Sequence, residues 1–136
     1  MMRLAKQKLI EQGSDMLLIG VTVLTSMDSV ELAETGVYSN IEHQVLYLAN
    51  QAKQSGLDGV VCSAKEARLL RAEMGTNFTL VTPGIRLPGD NKDDQRRVME
   101  PRRAIKMGSN YLVIGRAITK AEAPLKALRK INQLLA

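Results

Sequence analysis

The sequence predicts a parallel α/β fold in which one opening helix is followed by four strand–helix units. Runs of Val, Ile and Leu indicate strands buried on both faces, and they alternate with segments whose apolar residues recur at helical spacing. Right-handed helical crossovers between parallel strands produce this order. Four such units make either a small open sheet or half of a (β/α)8 barrel, which takes about 250 residues. The length of 136 residues leaves both open.

Capping and stop residues define the elements of the first half. An opening helix ends at Gly13, and the run DMLLIGVTVLTS after it is the first predicted strand. Ser26 is positioned to cap a short helix. Ser39 or Asn40 caps a longer helix, which Gly56 ends.

The second half repeats the alternation. After the strand LDGVVCS, Ser63 and Glu66 form a capping box for a helix that stops at Gly75. The third strand, NFTLVT, leads into a long loop, and Pro101 opens a short helix. The fourth strand is YLVIG, and Pro124 opens the last helix.

Charge and composition favour a small anionic ligand. Nineteen Lys and Arg against fourteen Asp and Glu give a net charge of +5. Six cations against three anions lie between Lys92 and Lys106. Nucleic-acid surfaces interleave such charge with aromatic side chains, but this chain has one Phe, three Tyr and no Trp. A phosphorylated small molecule therefore fits better than DNA or RNA.

Cysteine and histidine usage excludes several kinds of site. A single Cys62 cannot form an intrachain disulfide or a Cys-rich zinc site, and a single His43 removes most His-based metal sites and triads. We expect Cys62 to be a buried small hydrophobic residue and His43 to lie on an exposed helix surface. Residues 16–24, the longest apolar run, are too few to span a membrane, and no signal peptide is recognisable. We therefore expect a cytoplasmic location.

Ligands of parallel α/β folds bind at the carboxyl ends of the strands, so the residues after each apolar run are the site candidates. These are Thr25-Ser26, Cys62-Ser63, TPGIR at residues 82–86, and Gly115-Arg116. No carboxylate pair and no Lys occupies such a position, so the chain has binding groups without an obvious catalyst.

The clusters after the third and fourth strands have the chemistry of a phosphate site. Gly115 lets backbone N–H groups approach an anion, and the following helix adds its dipole. Arg116 offers a forked donor that matches phosphate oxygens, and Arg86 supplies a second fork from the neighbouring strand end. Pro83 stiffens the turn before Arg86. The alternative is that Gly115-Arg116 only ends a strand and that Arg86 pairs with a surface carboxylate.

Two further candidates come from the long loop and from the first strand end. Gln95 lies in a loop of about fifteen residues, and loops this long are more often binding loops than connectors. Its amide would hydrogen-bond phosphate or sugar, or else be solvated. Thr25 would bond a ligand ring, or share an N-cap with Ser26. We expect much of the remaining charge in the loop to be solvated.

The motifs VTVLTSM, GLDGVVCSA, LVTPGIR, DDQRR and YLVIGRAIT, in this order and spacing, resemble the C-terminal half of the bacterial orotidine 5′-monophosphate decarboxylase family. The resemblance covers almost the whole chain. It implies that residues 1–136 are one partial domain, the C-terminal half of a (β/α)8 barrel preceded by a partial helix. Members are usually homodimers that convert orotidine 5′-monophosphate to UMP and CO2 in pyrimidine synthesis, without metal or organic cofactor.

The resemblance also implies a role for each candidate. Thr25 would touch the pyrimidine, and Pro83 would line the pocket. The phosphate region would be held by Arg86, Gln95, Gly115 and Arg116. These implied roles agree with the positive charge of the chain.

The family's catalytic residues do not occur in this sequence. They are a strand-borne Lys followed by Asp-x-Lys-x-x-Asp, and the 136 residues contain no such motif. Met1-Met2 resembles the middle of the helix before the family's fifth strand, so we expect a shortened family chain that does not decarboxylate alone. Four strands of an eight-stranded barrel leave apolar edges, so we expect a homodimer or larger self-association.

Two other functions stay open at this stage. One is a related phosphosugar-binding barrel, such as a hexulose-phosphate synthase, which competition between UMP and ribulose 5-phosphate would separate. The other is a non-enzymatic module whose basic loop binds an acidic partner or nucleic acid. Steep salt dependence of DNA binding would support this second function.

Overall fold

The computed structural model describes residues 1–87 and 97–135, where seven helices and four strands follow one another in the predicted order. The helices are α1 (Met2–Glu11), α2 (Ser29–Glu34), α3 (Ile41–Gln54), α4 (Ala67–Met74), α5 (Pro101–Lys106), α6 (Arg116–Thr119) and α7 (Pro124–Leu135). The strands are β1 (Ile19–Val21), β2 (Gly59–Val61), β3 (Thr79–Thr82) and β4 (Tyr111–Leu112). None of these helices is long and apolar enough to cross a membrane.

The four strands form one parallel sheet in the order β1-β2-β3-β4. Each strand therefore pairs with the next strand along the chain, and the segment between them returns the chain to the starting edge of the sheet. The predicted class, four β/α units with parallel strands after one helix, is confirmed.

The two faces of the sheet differ in burial. Val60 and Leu80 pair in register and belong to the core cluster with the side chains of α3 and α4, where they are 1% and 0% exposed. The next row along the strands joins Val21, Val61, Val81 and Tyr111 and points to the opposite face. Its end members Val21 and Tyr111 are 62% and 56% exposed. The core of the described chain thus lies between the sheet and its helices.

The first predicted strand was wrong in length and in burial. Only Ile19–Val21 of the apolar run pairs with a neighbour. Met16, Leu17 and Leu24, from the same run, are exposed. Met16, Leu17 and Leu24 lie outside the paired segment, and the exposed Val21 points to the face opposite the core cluster.

Helix caps confirm some predictions and correct one. Asp28, and not Ser26, caps α2, because its carboxylate accepts from the N–H groups of Val30 and Glu31. Of the two alternatives for α3, Asn40 is the cap, and its side chain accepts from the His43 N–H at 2.8 Å. Both caps satisfy backbone donors that the first helical turn leaves without an intrahelical partner.

Helix α1 contains no buried residue, and an ion pair joins it to the sheet. Lys6 Nζ lies 2.6 Å from Asp58 Oδ1, just before β2, and Asp58 Oδ2 accepts from the Leu18 N–H at 2.7 Å. Burial alone would raise the pKa of Asp58, but the bonds from Lys6 and Leu18 outweigh it, so the pKa of this carboxyl is lowered.

Arg71 on α4 ties several backbone segments together at the amino ends of β3 and β4. Its Nη1 donates to the carbonyl oxygens of Gly75, Thr76 and Phe78, at 2.8, 3.0 and 2.7 Å. Its Nη2 donates to Gly108 O at 2.6 Å. One guanidinium thus joins the end of α4 to the segments that enter both strands.

Gly59 in β2 is predicted to tolerate no side chain. A Cβ built there would lie 2.0 Å from the Thr79 carbonyl oxygen in β3, so the two paired strands would have to separate. We expect Gly59→Ala to lower the free energy of unfolding by about 3 kcal/mol, measured by urea denaturation. Gly115→Ala is the control, because a Cβ at Gly115 meets no atom of residues 1–87 and 97–135 within 4 Å. Equal stability of the two variants would contradict this account.

Candidate functional site

The parallel sheet brings the predicted site residues to one edge. Since β1 to β4 run in the same direction, the segments after them all leave at the carboxyl edge of the sheet. Thr25 follows β1, Ser63 follows β2, Pro83 follows β3 and Gly115 follows β4. The four clusters named from the sequence therefore lie along the same edge.

Thr25 is directed into the protein at the end of the β1 segment. It is 6% exposed, whereas Leu24 before it is 56% exposed. The alternative role, a helix cap shared with Ser26, is wrong, because Asp28 caps α2. Thr25 is thus a hydroxyl at the carboxyl edge that does not cap the next helix.

Arg86 lies on a backbone extension of β3 that is bonded to Met99. Ile85 pairs in parallel with Met99. The Arg86 N–H donates to Met99 O, and the Met99 N–H donates to Gly84 O, both at 3.1 Å. Pro83 and Gly84 form the exit from β3, and the φ of 75° at Gly84 is one that glycine adopts without strain. The side chain of Arg86 donates from Nη1 to Ile85 O at 2.9 Å, and the residue is 8% exposed.

Gly115 and Arg116 begin a single helical turn after β4. Gly115 is exposed and is the N-cap residue of α6, which has four residues. Its carbonyl accepts from the N–H groups of Ile118 and Thr119, at 2.8 and 3.1 Å. Arg116 is half-buried. The dipole of so short a helix is small, so the charge of Arg116 is the stronger attraction for an anion here.

Gln95 lies outside the described residues. The two ends of the loop that contains it are described, and they lie close together, because Ile85 and Met99 pair with each other. The loop therefore leaves and rejoins the carboxyl edge at neighbouring points.

A buried ion pair at this edge was missed from the sequence. The Arg97 guanidinium donates to the Glu66 carboxylate, and the residues are 8% and 3% exposed. Arg97 Nη2 also donates to the carbonyl oxygens of Val23 and Leu24, at 3.1 and 2.8 Å. Our expectation that much of the loop charge is solvated is wrong for Arg97.

Glu66 connects this ion pair to the end of β2. Its Oε2 accepts from the Ser63 N–H at 2.8 Å, which is one half of the predicted capping box. The Ser63 hydroxyl accepts from the Lys65 N–H at 3.3 Å, whereas the Glu66 N–H donates to the Ser63 carbonyl oxygen. The second half of the predicted box is therefore not formed, and the N-cap residue of α4 is Glu66. Burial raises the pKa of the Glu66 carboxyl, and the Arg97 guanidinium opposes that rise.

The sequence indicated only one partner of this ion pair, Glu66. The Ser-x-x-Glu spacing selected Glu66 as a cap, but nothing local to Arg97 distinguishes it from the neighbouring cations, since its partner is 31 residues away. A buried carboxylate so close to a strand end needs a cation. This need for a cation could have indicated that one arginine of the loop pairs with Glu66.

Cys62 and His43 have the environments that the sequence predicted. Cys62 is 1% exposed, and burial, followed by the nearby charge of Glu66, raises the pKa of its thiol to about 12. His43 is exposed on α3. In residues 1–87 and 97–135 no three His, Cys, Asp or Glu side chains are grouped so that they could hold a metal ion.

Residues 1–131 match the model of the Orotidine 5'-phosphate decarboxylase / HUMPS family. The chain belongs to this family. The match includes every strand and every predicted site residue, so the family resemblance seen in the motifs is confirmed.

Curated members of the family are similar over nearly the whole chain. An orotidine 5'-phosphate decarboxylase of Pseudoalteromonas translucida is 55% identical over 134 residues, which are 98% of this chain and 57% of that protein. One of Neisseria meningitidis serogroup A is 54% identical over 135 residues, covering 98% and 55%. The chain thus spans somewhat more than half the length of these relatives.

Two solved structures have the same fold over the matched part. The orotidine 5'-phosphate decarboxylase of Lactobacillus acidophilus has a TM-score of 0.77 and 38% identity, covering 98% of this chain and 57% of that one. An uncharacterized conserved protein of Geobacillus kaustophilus has a TM-score of 0.76 and 34% identity, covering 100% and 58%. The four β/α units therefore correspond to part of a larger family fold.

Cys62 is predicted to be chemically inert in the folded chain. A rise of its pKa from 9.0 to about 12 lowers the thiolate fraction about 1000-fold, and burial also blocks access. We expect no labelling by a thiol reagent at pH 8 in the native state and rapid labelling in denaturant. Native labelling at the rate of the denatured chain would show that Cys62 is a reactive, accessible thiol.

Proposed function

We propose that this chain is the nucleotide-binding part of an orotidine 5'-phosphate decarboxylase and that it binds UMP through the phosphate. Membership of the family and the names of its similar relatives support the ligand class. The observation that carries the proposal is the pair of arginines, Arg86 and Arg116, that follow the neighbouring strands β3 and β4. Two forked donors at one edge match the oxygens of a phosphate group.

Each proposed contact follows from a position at the carboxyl edge. Thr25 contacts the pyrimidine, and Pro83, half-buried at the exit from β3, lines the pocket. The phosphate region is held by Arg86, Gln95, Gly115 and Arg116. Contacts far from the reacting carbon serve catalysis because their binding energy orients the ring and closes loops around it.

The proposed chain binds its ligand without performing the reaction. The 136 residues carry no Asp-x-Lys-x-x-Asp motif, and none of the four described strands contains a lysine that could protonate the ring carbon. Residues 1–136 then form a partial domain, the C-terminal half of a (β/α)8 barrel. A cytoplasmic location and a place in pyrimidine synthesis belong to the same proposal.

Titration calorimetry with UMP tests this function. We expect millimolar or tighter binding by the purified chain and about 10- to 100-fold weaker binding by Arg116→Ala, because a charge-assisted bond to phosphate is lost. Arg129→Ala is the matched control, since Arg129 is exposed on α7. Equal affinity in the wild type and Arg116→Ala would refute the site. Release of CO2 from orotidine 5'-monophosphate by the chain alone would refute the division between binding and catalysis.

We also propose that the chain associates with a second copy of itself through the open face of the sheet. Val21 and Tyr111 are exposed at the two edges of this face, and Val113 beside β4 is 51% exposed. The edges of β1 and β4 have no outer neighbour among the described strands. Unpaired edges and contiguous apolar side chains favour association. Two copies that associate through these faces would form one larger, closed, barrel-like assembly.

Light scattering across a range of concentrations tests the association. We expect a dimer or larger mass for the wild type and a shift toward 15.0 kDa for Val21→Lys, because the introduced charge must be desolvated in the interface. Val30→Lys is the control, since Val30 is 67% exposed and lies on α2, outside the strands. A monomeric wild type at every concentration would contradict the proposal.

A further inference from the structure

Arg97 binds two neighbouring strand ends with a single side chain. Its Nη1 donates to Glu66, in the segment after β2, and its Nη2 donates to Val23 O and Leu24 O, in the segment after β1. Leu24 directly precedes Thr25. The guanidinium thus holds the main chain that presents Thr25, without needing to touch a ligand itself.

The main chain around Arg97 is bound to the other side of the site. Its carbonyl oxygen accepts from the Ser63 hydroxyl at 3.3 Å. Two residues later, Met99 exchanges backbone hydrogen bonds with Gly84 and Arg86, each at 3.1 Å. Arg97 therefore belongs to a continuous set of bonds that runs from the end of β1 to the extension of β3.

Stability alone is a weak reason for this arrangement. A buried ion pair can often be replaced by neutral side chains of similar size without loss of stability, because the desolvation penalty offsets the attraction. Within the described residues the buried Nε of Arg97 also lacks a hydrogen-bond partner, which is unfavourable. Neutral side chains would lack the donors that bond to the carbonyl oxygens of Val23 and Leu24.

We propose that Arg97 is a positioning residue that fixes the segment carrying Thr25 relative to the segment carrying Arg86. The inference rests on the proposed function, in which Thr25 contacts the pyrimidine and Arg86 the phosphate. A nucleotide that spans both contacts binds well only when their separation is fixed before it arrives. Arg97 fixes that separation through bonds to protein, so it pre-organises both ends of the site.

The double variant Glu66→Gln/Arg97→Met separates positioning from charge pairing. Neither residue is then left as an unpaired buried charge, and the Gln oxygen still accepts from the Ser63 N–H. We expect this variant to fold and to bind UMP at least about tenfold more weakly than the wild type. Wild-type UMP affinity in the folded double variant would overturn the proposal.

Two single variants complete the comparison. Arg97→Lys keeps a cation for Glu66 but lacks the planar fork that reaches Val23 and Leu24 together, so we expect weaker UMP binding with little change in melting temperature. Arg71→Met is the matched control. It removes an arginine bonded to backbone carbonyls at the opposite, amino edge of the sheet, so it should lower the melting temperature and leave UMP affinity unchanged. Arg97→Lys with wild-type affinity would also overturn the proposal.

Amide hydrogen exchange without ligand makes the result independent of the proposed function. The N–H groups of Arg86 and Met99 are in the bonds that close the loop beside Arg97. We expect their exchange to be at least about tenfold faster in the double variant. If the wild type does not bind UMP, the proposed function fails. The exchange rates of these two amides still show whether Arg97 holds the two segments together. Unchanged exchange at both amides would show that Arg97 does not hold the two segments together.

Discussion

The packing of helices against one face of the parallel sheet is the constraint on which the rest of the structure depends. Val60 and Leu80 reach the core through this face, together with Leu70 from α4. Helices can return the chain in this way only if all strands run in one direction. The same requirement sends every strand exit to the carboxyl edge. Burial of the apolar row and assembly of the polar site are thus two results of one arrangement.

Two arginines secure the irregular segments at opposite edges of this sheet. Arg71 joins backbone carbonyls where β3 and β4 begin, and Arg97 joins carbonyls where the β1 segment ends. A guanidinium suits both tasks because it presents several donors in one plane and keeps its charge at any physiological pH. Loops without regular pairing thereby acquire fixed partners for their backbone acceptors.

The sequence predicted the order of elements correctly because each strand and helix has its own periodicity and stop signals. It overestimated β1, since an apolar run reports hydrophobicity and not where strand pairing begins and ends. It assigned the cap of α2 to Ser26, whereas Asp28 is the cap; both residue types cap helices well, and the starting point of α2 decides which one does so. The strand ends and their positions at one edge followed from the fold class. Arg97 did not, because its partner Glu66 is distant in sequence.

Helix α1 differs from the rest of the fold in how it is attached. It buries no residue completely, and Lys6 joins it to Asp58 before β2. Since the pKa of Asp58 is lowered in the folded chain, this attachment is present above the ordinary pKa of a carboxyl and is lost as the pH falls through the lowered value. Segments with few buried contacts open at free energies well below that of global unfolding. Protonation of Asp58 in acid therefore removes the ion pair that joins α1 to the sheet.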